Sequence, residues 1–581
     1  MGRRGEFEER CARRFVSRRE VAAALAVVAA TAAGVVRTAR SAAPRDPVVD
    51  TTAGKVRGEP GAGGGYRFLC VPYGASTAGA GRFMPPRPPV PWAGVRGPLQ
   101  HALISPQLNP NAPVAPAGSV RAAVSGIGSE AGSLETEDCL NVTIYTPGLD
   151  SHRRPVMFWC HGGGYYAGSG SNPMYDGSRL AVRGDVVVVN VNHRLGVLGF
   201  SQLAAAGPGF APSGNVGMMD IALALRWVQE NIERFGGDPR NVMIFGQSGG
   251  GGKVAVLLSM PSAKGLFHRA AMQSGALRRL RSMEHAAFVS ATLMSRLGLR
   301  LEEARRLQQV PLPQLMQAFF SLAKLPAQPG RALNYEPVLD GQVVPRNPFD
   351  PIADPLNAAV PLVVGCARTE NTAFMLGDEA AFRLDAAALK SRMQALIGER
   401  AGSAAIALYS RLEPAASPSD LYFAMLSDRT RRQSILVAEL KSAQMAQAAH
   451  AAAPAYLYEL LWNTPVFGGM LRSPHSLDLP MIFDLARGPR WTPYTGGGPG
   501  AQKVAEAMSA AWVAFARTGD PATAAHSWPA YLLEGGPGGR EARAPGTMLR
   551  ETMLFDEVSG ARPDPMRETR LFWDDVANGV I

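Results

Sequence analysis

Short apolar runs alternate with helical patterns through the middle of the chain. β-Branched and aromatic residues dominate the runs at 155–160, 185–190 and 241–245. Apolar residues recur at helical spacing over 218–234, between the second and third runs. Strands that alternate with helices are typical of a parallel sheet with helices on both faces. The pattern therefore predicts an α/β fold.

The same alternation continues towards the C-terminus. Three further strands are predicted, at 269–273, 361–365 and 455–461. The stretches 284–324 and 385–449 between them are mainly helical in pattern, and we expect them to form helical cap insertions that shape a substrate cavity. A further helix is predicted at 502–517, since Gly519-Asp520-Pro521 is a stop signal.

Two N-terminal regions have a different pattern. Strands are predicted over 48–73, joined by the glycine-rich turn at 61–65. The stretch 106–135 is rich in Ala, Pro, Gly and Ser and has no clear period. We expect it to be a surface loop near an active-site mouth, or a partly disordered segment.

Much of the positive charge of the chain lies in its first 45 residues. The formal net charge is +11, and these residues contribute ten Arg and four Glu, which leaves 49 basic and 44 acidic residues elsewhere. The remaining surplus of five contains no Lys/Arg block with interleaved aromatics. It indicates a solvated surface, and no nucleic-acid partner is expected.

The N-terminal segment resembles a bacterial twin-arginine export signal. Arg13-Arg14 and Arg18-Arg19 precede an uncharged Ala/Val-rich run at 21–36, and small residues follow around Ser41. We expect residues 1–43 to be an export signal and 44–581 to be the functional domain of a periplasmic or secreted protein. The alternatives are an uncleaved membrane anchor and an amphipathic helix. No later 20-residue segment is apolar enough to span a bilayer, so the mature chain is expected to lack a stable membrane span.

The cysteines give no sign of a metal site. They are far apart and form no CxxC pair, and no histidine pair lies near them: Cys11, Cys70, Cys139, Cys160 and Cys366. Zinc sites need closely spaced ligands, so no metal or other cofactor is expected. The pattern leaves the disulfide state open.

The strongest chemical motif is Gly246-Gln247-Ser248-Gly249-Gly250. It lies between the predicted strand at 241–245 and a small-residue helix predicted at 251–258. A nucleophile elbow requires this strand–turn–helix setting, because the sharp turn exposes the serine hydroxyl. The pattern GxSxG alone also occurs by chance in glycine-rich chains. The predicted strand before it and the predicted helix after it are therefore what indicate Ser248 as a nucleophile.

A second motif supplies a partner for that serine. His161-Gly162-Gly163-Gly164 directly follows the predicted strand at 155–160, as the HGGG loop does in esterases and lipases. Glycines allow backbone N–H groups to point at a substrate oxygen without side chains in the way. We expect an oxyanion hole formed by the N–H groups of Gly163, Gly164 and Gly249.

Together with these motifs, further segments resemble the type-B carboxylesterases, the group that includes bacterial esterases and the cholinesterases. The similar segments run most of the length of the chain, at 137–147, 192–196, 214–239, 273–275, 340–341 and 516–521. The resemblance implies the α/β-hydrolase fold and a serine–histidine–acid triad. Its chain order is serine, acid, histidine.

The resemblance also indicates the two remaining triad members. Glu370, in Arg368-Thr369-Glu370-Asn371, follows a predicted strand at the place of the family's acid, and Asp340, Asp378 and Glu379 are the alternative acids. His475 precedes Asp478-Leu479-Pro480 as the family's catalytic histidine does, with His161 and His193 as competitors. Ser274 lies either behind the triad or in a structural role.

The chain departs from the family pattern at three positions. Gln247 and Gly249 stand where relatives often have Glu and Ala. The lost negative charge argues against choline esters, and the glycine loosens the backbone that aims its N–H. Relatives often pair the cysteine equivalent to Cys139 with one in a CPQ segment, where this chain has Ser105. That disulfide cannot form, and Cys139 is expected to be a buried, inert thiol.

The predicted function is hydrolysis of a small-molecule carboxylic ester through an acyl-enzyme intermediate. Amide, carbamate or thioester hydrolysis by the same triad is an alternative, as is a non-catalytic binding module of the esterase-like adhesion type. Five aromatic residues line a pocket or belong to the core: Phe319, Phe320, Phe374, Trp462 and Phe467. The sequence leaves the physiological substrate and the oligomeric state open.

Overall fold

The structure, a computed structural model, describes residues 47–108, 119–325, 332–447, 452–533 and 549–581. Its main feature is an eleven-stranded sheet. The strands are β1 (Glu59–Pro60), β2 (Tyr66–Pro72), β3 (Asn141–Thr146), β4 (Arg154–Cys160), β5 (Val187–Val191), β6 (Gly237–Gln247), β7 (Arg269–Gln273), β8 (Leu362–Ala367), β9 (Ala455–Leu460), β10 (Glu551–Phe555) and β11 (Gly560–Pro563).

The strand order across this sheet is β1-β2-β3-β5-β4-β6-β7-β8-β9-β10-β11. Neighbours from β5 to β10 pair in parallel, and the pairs at both ends of the sheet are antiparallel. The predicted strands at 155–160, 269–273 and 455–461 coincide with β4, β7 and β9 to within one residue. The predicted mainly parallel sheet is therefore confirmed.

Helices cover both faces of the sheet. They are α1 (Val120–Ile127), α2 (Ser178–Gly184), α3 (Gly196–Phe200), α4 (Val216–Asn231), α5 (Gly249–Leu257), α6 (Met283–Arg296), α7 (Leu312–Ser321), α8 (Asn371–Phe374), α9 (Ala386–Ile397), α10 (Glu399–Leu412), α11 (Pro418–Gln447), α12 (Asp478–Ile482), α13 (Thr492–Thr495), α14 (Pro499–Thr518) and α15 (Arg567–Ala577). None of the helices in the described ranges is long and apolar enough to cross a membrane.

The central strands are buried on both faces. In β4, Phe158 belongs to one apolar cluster, whereas Met157 and Trp159 belong to a second cluster on the opposite face. All three side chains have no exposed surface. Burial on both faces explains why β4 is a continuous apolar run with no polar alternation.

The predicted helical block 385–449 contains α9, α10 and α11. Its apolar side chains build a third cluster, which includes Phe423 from α11 and Phe572 and Trp573 from α15. The block at 284–324 is likewise mainly helical, with α6, α7 and a 3₁₀ segment at Leu301–Gln308. Residues of α6, α7 and α11 also belong to the apolar cluster that contains Phe158 of β4, so both blocks share a core with the sheet.

One expectation from the sequence needs correction. The stretch 106–135 is expected to be a surface loop or a partly disordered segment, but its described part after 118 contains α1 and the short strand Leu134–Glu135. Ser119 caps α1 by accepting a hydrogen bond from the Ala122 N–H, a local contact that the Ala/Gly-rich composition concealed. The strands β10 and β11 and the helix α15 were also not predicted.

The predicted export signal lies outside the described residues and stays a prediction.

Candidate active site

Ser248 stands at a sharp turn between β6 and α5. Its backbone has φ 57° and ψ −127°, a conformation that L-residues rarely adopt. Two hydrogen bonds hold the turn: the Ser248 N–H donates to the Gln273 carbonyl at 2.8 Å, and its own carbonyl accepts from the Gly252 N–H at 3.2 Å. The strand–turn–helix predicted from the sequence is therefore present.

Glycines allow three chain segments to meet at this turn. A Cβ on Gly250 would overlap the carbonyl oxygen of Cys160 at the end of β4, and a Cβ on Gly275 would overlap the carbonyl oxygen of Ser248. Backbone atoms cannot move aside as flexible side chains do. The small residues after β6 and β7 are therefore required by packing.

The glycine loop after β4 faces the same turn. Gly163 and Gly164 have φ of 85° and 63°, in the left-handed region that favours glycine. Within the described part of the chain, their N–H groups donate to no other protein group. The backbone of Gly164 packs directly against Gly249, at the N-terminus of α5. This contact brings the glycine loop against the residue that directly follows Ser248.

Gly249 has a packing role that the sequence did not reveal. A Cβ at this position would overlap the Cα, carbonyl carbon and carbonyl oxygen of Gly164. We expect Gly249→Ala to push the glycine loop away and to lower kcat about a hundredfold, the scale of losing one oxyanion donor. Steady-state kinetics on a p-nitrophenyl ester measures this effect.

The matched control is Gly126→Ala in α1, where a Cβ meets no atom within 4 Å. Alanine stabilises a helix relative to glycine, so this variant should keep the wild-type kcat. A Gly249→Ala variant with unchanged kcat would contradict the tight contact between the loop and the turn.

Glu370 and His475 meet at the C-terminal edge of the sheet. The Glu370 carboxylate accepts hydrogen bonds from the Ala367 N–H and the Ser274 hydroxyl, each at 2.7 Å, and from Nδ1 of His475. Because a carboxylate can only accept, Nδ1 carries the proton and Nε2 is the basic nitrogen. The Tyr494 hydroxyl donates to the His475 carbonyl at 2.6 Å and holds the histidine backbone.

The environment of His475 favours its charged form. Burial lowers the pKa of the imidazole, but the charge of Glu370 and the hydrogen bond to it, with a smaller effect of Asp478, outweigh burial. The pKa of His475 is therefore raised above its ordinary value of 6.5. A raised pKa makes the neutral imidazole a stronger base towards a hydroxyl proton.

Gln247 contacts the same imidazole from the side. Its amide nitrogen lies 3.1 Å from Nε2 and 3.5 Å from Nδ1. An atom at nearly equal distances from both ring nitrogens lies over the face of the imidazole ring and not along the in-plane lone pair of Nε2. The Nε2 lone pair is therefore open to another hydrogen-bond donor. No hydrogen bond joins the Ser248 hydroxyl to His475 among the described residues. Such bonds are often long without substrate and tighten when substrate binds.

The alternative triad residues have other partners. Asp340 accepts a hydrogen bond from Asn215 at 2.9 Å, and Asp378 pairs with Arg392 at 2.7 Å. His161 and His193 are buried and stack with ring centroids 5.2 Å apart. Burial, the largest effect, holds the pKa of both histidines well below the ordinary range. Glu379, the third alternative acid, is exposed. His475 contacts Gln247, directly before Ser248, and is paired with Glu370, so these two residues lie next to the turn.

Two cavities adjoin the site. One, of about 710 Å³, is lined by Ser248, by Arg429 of α11 and by Trp573 of α15. A second, of about 1320 Å³, begins at Tyr166, just after the glycine loop. Phe319 and Phe320 line the second cavity.

The other aromatic residues singled out from the sequence have different surroundings. Phe374 is 62% exposed and its ring lies 4.6 Å from that of His475, whereas Trp462 is buried in the core. Phe467 is partly exposed and appears in neither cavity lining.

Sequence reasoning missed Tyr494 and Lys253. The sequence around Tyr494 gives no indication that its hydroxyl donates a hydrogen bond to the His475 carbonyl. Lys253 did carry a signal, as the one charged residue in an otherwise small and apolar helix, α5. Within the described ranges, no group of three or more His, Cys, Asp or Glu side chains is placed to hold a metal ion.

Residues 45–538 match the model of the carboxylesterase family. The chain belongs to that family. This carboxylesterase is 32% identical to the para-nitrobenzyl esterase of Bacillus subtilis over 523 residues, which cover 90% of this chain and 97% of the relative. It is 31% identical to the phenmedipham hydrolase of Pseudarthrobacter oxydans over 514 residues, which cover 86% and 97%.

Solved structures agree with these relatives. The crystal structure of a carboxylesterase of Geobacillus stearothermophilus aligns with a TM-score of 0.72 and 34% identity, covering 91% of this chain and all of that one. The α/β-hydrolase fold and the predicted family are therefore confirmed. As a serine carboxylesterase, the protein hydrolyses carboxylic esters through an acyl-enzyme intermediate.

The cysteines in the described part of this carboxylesterase form no disulfide, as expected from the absence of a cysteine at position 105. Cys70, Cys139, Cys160 and Cys366, the four within the described residues, are all free and buried. Burial raises the pKa of the Cys139 thiol to about 12, so the thiol stays protonated. The prediction of a buried thiol at Cys139, outside any disulfide, is confirmed.

Proposed function

We propose that Ser248, His475 and Glu370 are the catalytic triad of this esterase, with Gly163, Gly164 and Gly249 as the oxyanion hole. One observation carries the assignment: the His475–Glu370 pair contacts Gln247, directly before the strained backbone of Ser248. The hydrogen bond from Nδ1 to Glu370 leaves Nε2 as the basic nitrogen. A serine hydroxyl is a weak nucleophile unless such a base is within reach.

In the first half-reaction, the Ser248 oxygen attacks the ester carbonyl while Nε2 of His475 accepts the hydroxyl proton. Glu370 stabilises the resulting imidazolium through its hydrogen bond to Nδ1. The carbonyl oxygen becomes an anion, which the N–H groups of Gly163, Gly164 and Gly249 stabilise. His475 then gives its proton to the leaving alcohol, and the acyl group stays on Ser248.

In the second half-reaction, His475 removes a proton from water, and the hydroxide attacks the acyl carbonyl. The same three N–H groups stabilise the second anion. Collapse of this intermediate returns the proton to Ser248 and releases the carboxylic acid. These steps need only the side chains and backbone N–H groups named here, together with water.

The shape of the site supports esters with substantial groups. A cavity of about 710 Å³ at Ser248 is in the size range of small-molecule sites. Gln247 contributes no negative charge beside His475, which argues against cationic choline esters. The intact pair of His475 and Glu370 favours catalysis over a binding module of the same fold.

The proposal includes export. Residues 1–43 combine paired arginines, an apolar run and a small-residue zone, which together are typical of a signal-peptidase substrate. Cell fractionation of the full-length chain tests export, with an Arg13→Lys/Arg14→Lys variant as the test of the twin-arginine route. Retention of the wild-type protein inside the cell would reject export.

Covalent labelling tests the nucleophile directly. We expect a fluorophosphonate probe to form one adduct, located on Ser248 by peptide mass spectrometry, because only a serine beside its base reacts rapidly. Heat-denatured enzyme is the control and should remain unlabelled, since its hydroxyl groups have no positioned base. An adduct on another serine, such as the nearby Ser274, would reject the assignment.

A further inference from the structure

Lys253 joins the nucleophile helix to the glycine loop. It lies on α5, five residues after Ser248, and its side chain is fully buried. Its Nζ donates to the carbonyl oxygen of His161 at 2.8 Å. His161 directly precedes the glycines that carry the proposed oxyanion donors. The hydrogen bond therefore connects the two parts of the site that must be aligned for catalysis.

The surroundings of Lys253 hold no negative charge. The titratable groups that face it are Cys160, His161, His193 and Tyr165, whose ring centroid lies 5.9 Å from Nζ. Burial keeps the pKa of the thiol near 12 and those of both histidines well below the ordinary range. Within the described residues, no carboxylate forms an ion pair with Lys253.

An ammonium buried in this way destabilises the fold. Removing the charge from water is costly, and here a single carbonyl oxygen offsets that cost where a carboxylate would offset more of it. An apolar side chain of similar length would fill the same space at lower cost. Stability alone therefore does not explain a lysine at this position.

Hydrogen bonds within the glycine loop fix its own shape: the Ala167 N–H donates to the Gly163 carbonyl at 3.1 Å. These bonds do not join the loop to the nucleophile helix. Gly162, Gly163 and Gly164 have no side chains, and the loop touches the turn through backbone contacts at Gly164 and Gly249. The Lys253 side chain is the one from α5 that hydrogen-bonds this loop among the described residues. Its bond fixes the loop at the peptide group just before the donors.

We propose that Lys253 is a positioning residue of the oxyanion hole, which holds the His161 carbonyl and thereby fixes the N–H groups of Gly163 and Gly164 relative to Ser248. The proposal rests on the assignment of these glycines in the proposed function. Lys253 acts through the loop and does not touch the substrate. Its effect belongs to the transition state, because the oxygen becomes negative only there.

Kinetics of Lys253→Met test the proposal. We expect kcat to fall about tenfold to a hundredfold with KM within about twofold of wild type, because donor alignment matters most in the transition state. The inhibition constant of a trifluoromethyl ketone, which forms a similar anion on the serine, should rise by a comparable factor. The melting temperature should stay the same or rise, since the variant buries no charge.

A second variant separates positioning from packing. The amide of Lys253→Gln can still donate to the His161 carbonyl, although its chain is shorter, so kcat should lie between the Met variant and wild type. If Lys253→Met does not fold, Lys253→Leu, which likewise has no donor, is judged by the same criteria. A folded Met or Leu variant with kcat within twofold of wild type and unchanged ketone inhibition overturns the proposal.

The pH dependence gives a third readout. Burial lowers the pKa of Lys253 to about 7, so the ammonium loses its proton as the pH rises through neutrality. Loss of the charge weakens the hydrogen bond to the carbonyl, and wild-type kcat should decline on this basic side. The decline should be absent in Lys253→Met. An equal decline of kcat at high pH in the wild type and in Lys253→Met would count against the proposal.

Lys441→Met is the matched control. Lys441 is also a buried lysine, and it donates to the carbonyls of Asn357 and Ala358 at 3.1 and 2.7 Å, with its pKa likewise lowered to about 7 by burial. It does not contact the glycine loop, so its loss should leave kcat and ketone inhibition unchanged. Equal effects of Lys253→Met and Lys441→Met would overturn the proposal.

The fluorophosphonate experiment separates this outcome from failure of the proposed function. A wild-type enzyme that formed no adduct on Ser248 would reject the proposed function itself.

Discussion

Ser248→Ala is expected to lower kcat about 10⁵- to 10⁶-fold, the largest effect of any single substitution in this protein. The variant keeps the oxyanion donors and His475 but has no oxygen to form the acyl-enzyme. The melting temperature should stay the same or rise, because the turn at Ser248 is held by backbone hydrogen bonds that alanine preserves. Turnover of a p-nitrophenyl ester by purified protein measures the loss.

Ser274→Ala is the control for this substitution. Ser274 is the neighbouring serine whose hydroxyl donates to Glu370 at 2.7 Å. Its loss leaves the Ala367 N–H on the same carboxylate oxygen, so we expect kcat to fall only about tenfold, the equivalent of one hydrogen bond to a charged group. If Ser248→Ala kept more than about a hundredth of the wild-type kcat, a different nucleophile would be at work.

Glu370→Gln is expected to have the next largest effect, a fall in kcat of about 10⁴-fold. The amide is isosteric with the carboxylate, but it can donate to Nδ1 of His475 and so place the imidazole proton on Nε2. That tautomer cannot accept the proton of Ser248. The substitution therefore removes the base while leaving the packing in place.

The residual activity of Glu370→Gln should also have a different pH profile. His475 must be neutral to act as a base, so activity is lost as the pH falls through its pKa. In the wild type the pKa of His475 is raised. The acidic limb, which is the fall of kcat/KM with decreasing pH, should therefore lie above pH 6.5. Without the charge of Glu370, burial dominates, and the limb should move to lower pH.

Glu459→Gln is the control for this pH shift. Glu459 is another buried carboxylate, on β9, and it lies 3.7 Å from Arg368 rather than at His475. Its substitution should lower the melting temperature but leave the acidic limb in place. An acidic limb of kcat/KM that did not move in Glu370→Gln would argue against a direct partnership between Glu370 and His475.

The local motifs could be predicted from the sequence because each is formed by consecutive residues. The turn at Ser248 needs only a strand, small neighbours and a helix in series, and the glycine loop needs only the strand before it. Both were predicted where the structure has them. The irregular composition of 119–135 gave a wrong prediction, because the cap of α1 is a single side-chain contact that does not alter the residue pattern.

The pairing of Glu370 with His475 is a different case. The two residues are 105 positions apart. Spacing left Asp340, Asp378 and Glu379 open as acids, and the family resemblance selected Glu370. The structure adds the contacts that orient the carboxylate. The Ala367 N–H had no signal in the residue pattern, whereas Ser274 was already singled out as a residue either behind the triad or in a structural role.

The sequence by itself thus determined the fold class, the turn at Ser248 and the identity of the glycine loop, since apolar periodicity and small residues act over short distances along the chain. Only the tertiary structure decided that Gly164 fills the space beside Gly249, that Gln247 lies beside the ring of His475 and that Lys253 reaches the His161 carbonyl. These contacts form where β4, β6 and α5 converge. Their geometry depends on how the sheet assembles, which no local pattern encodes.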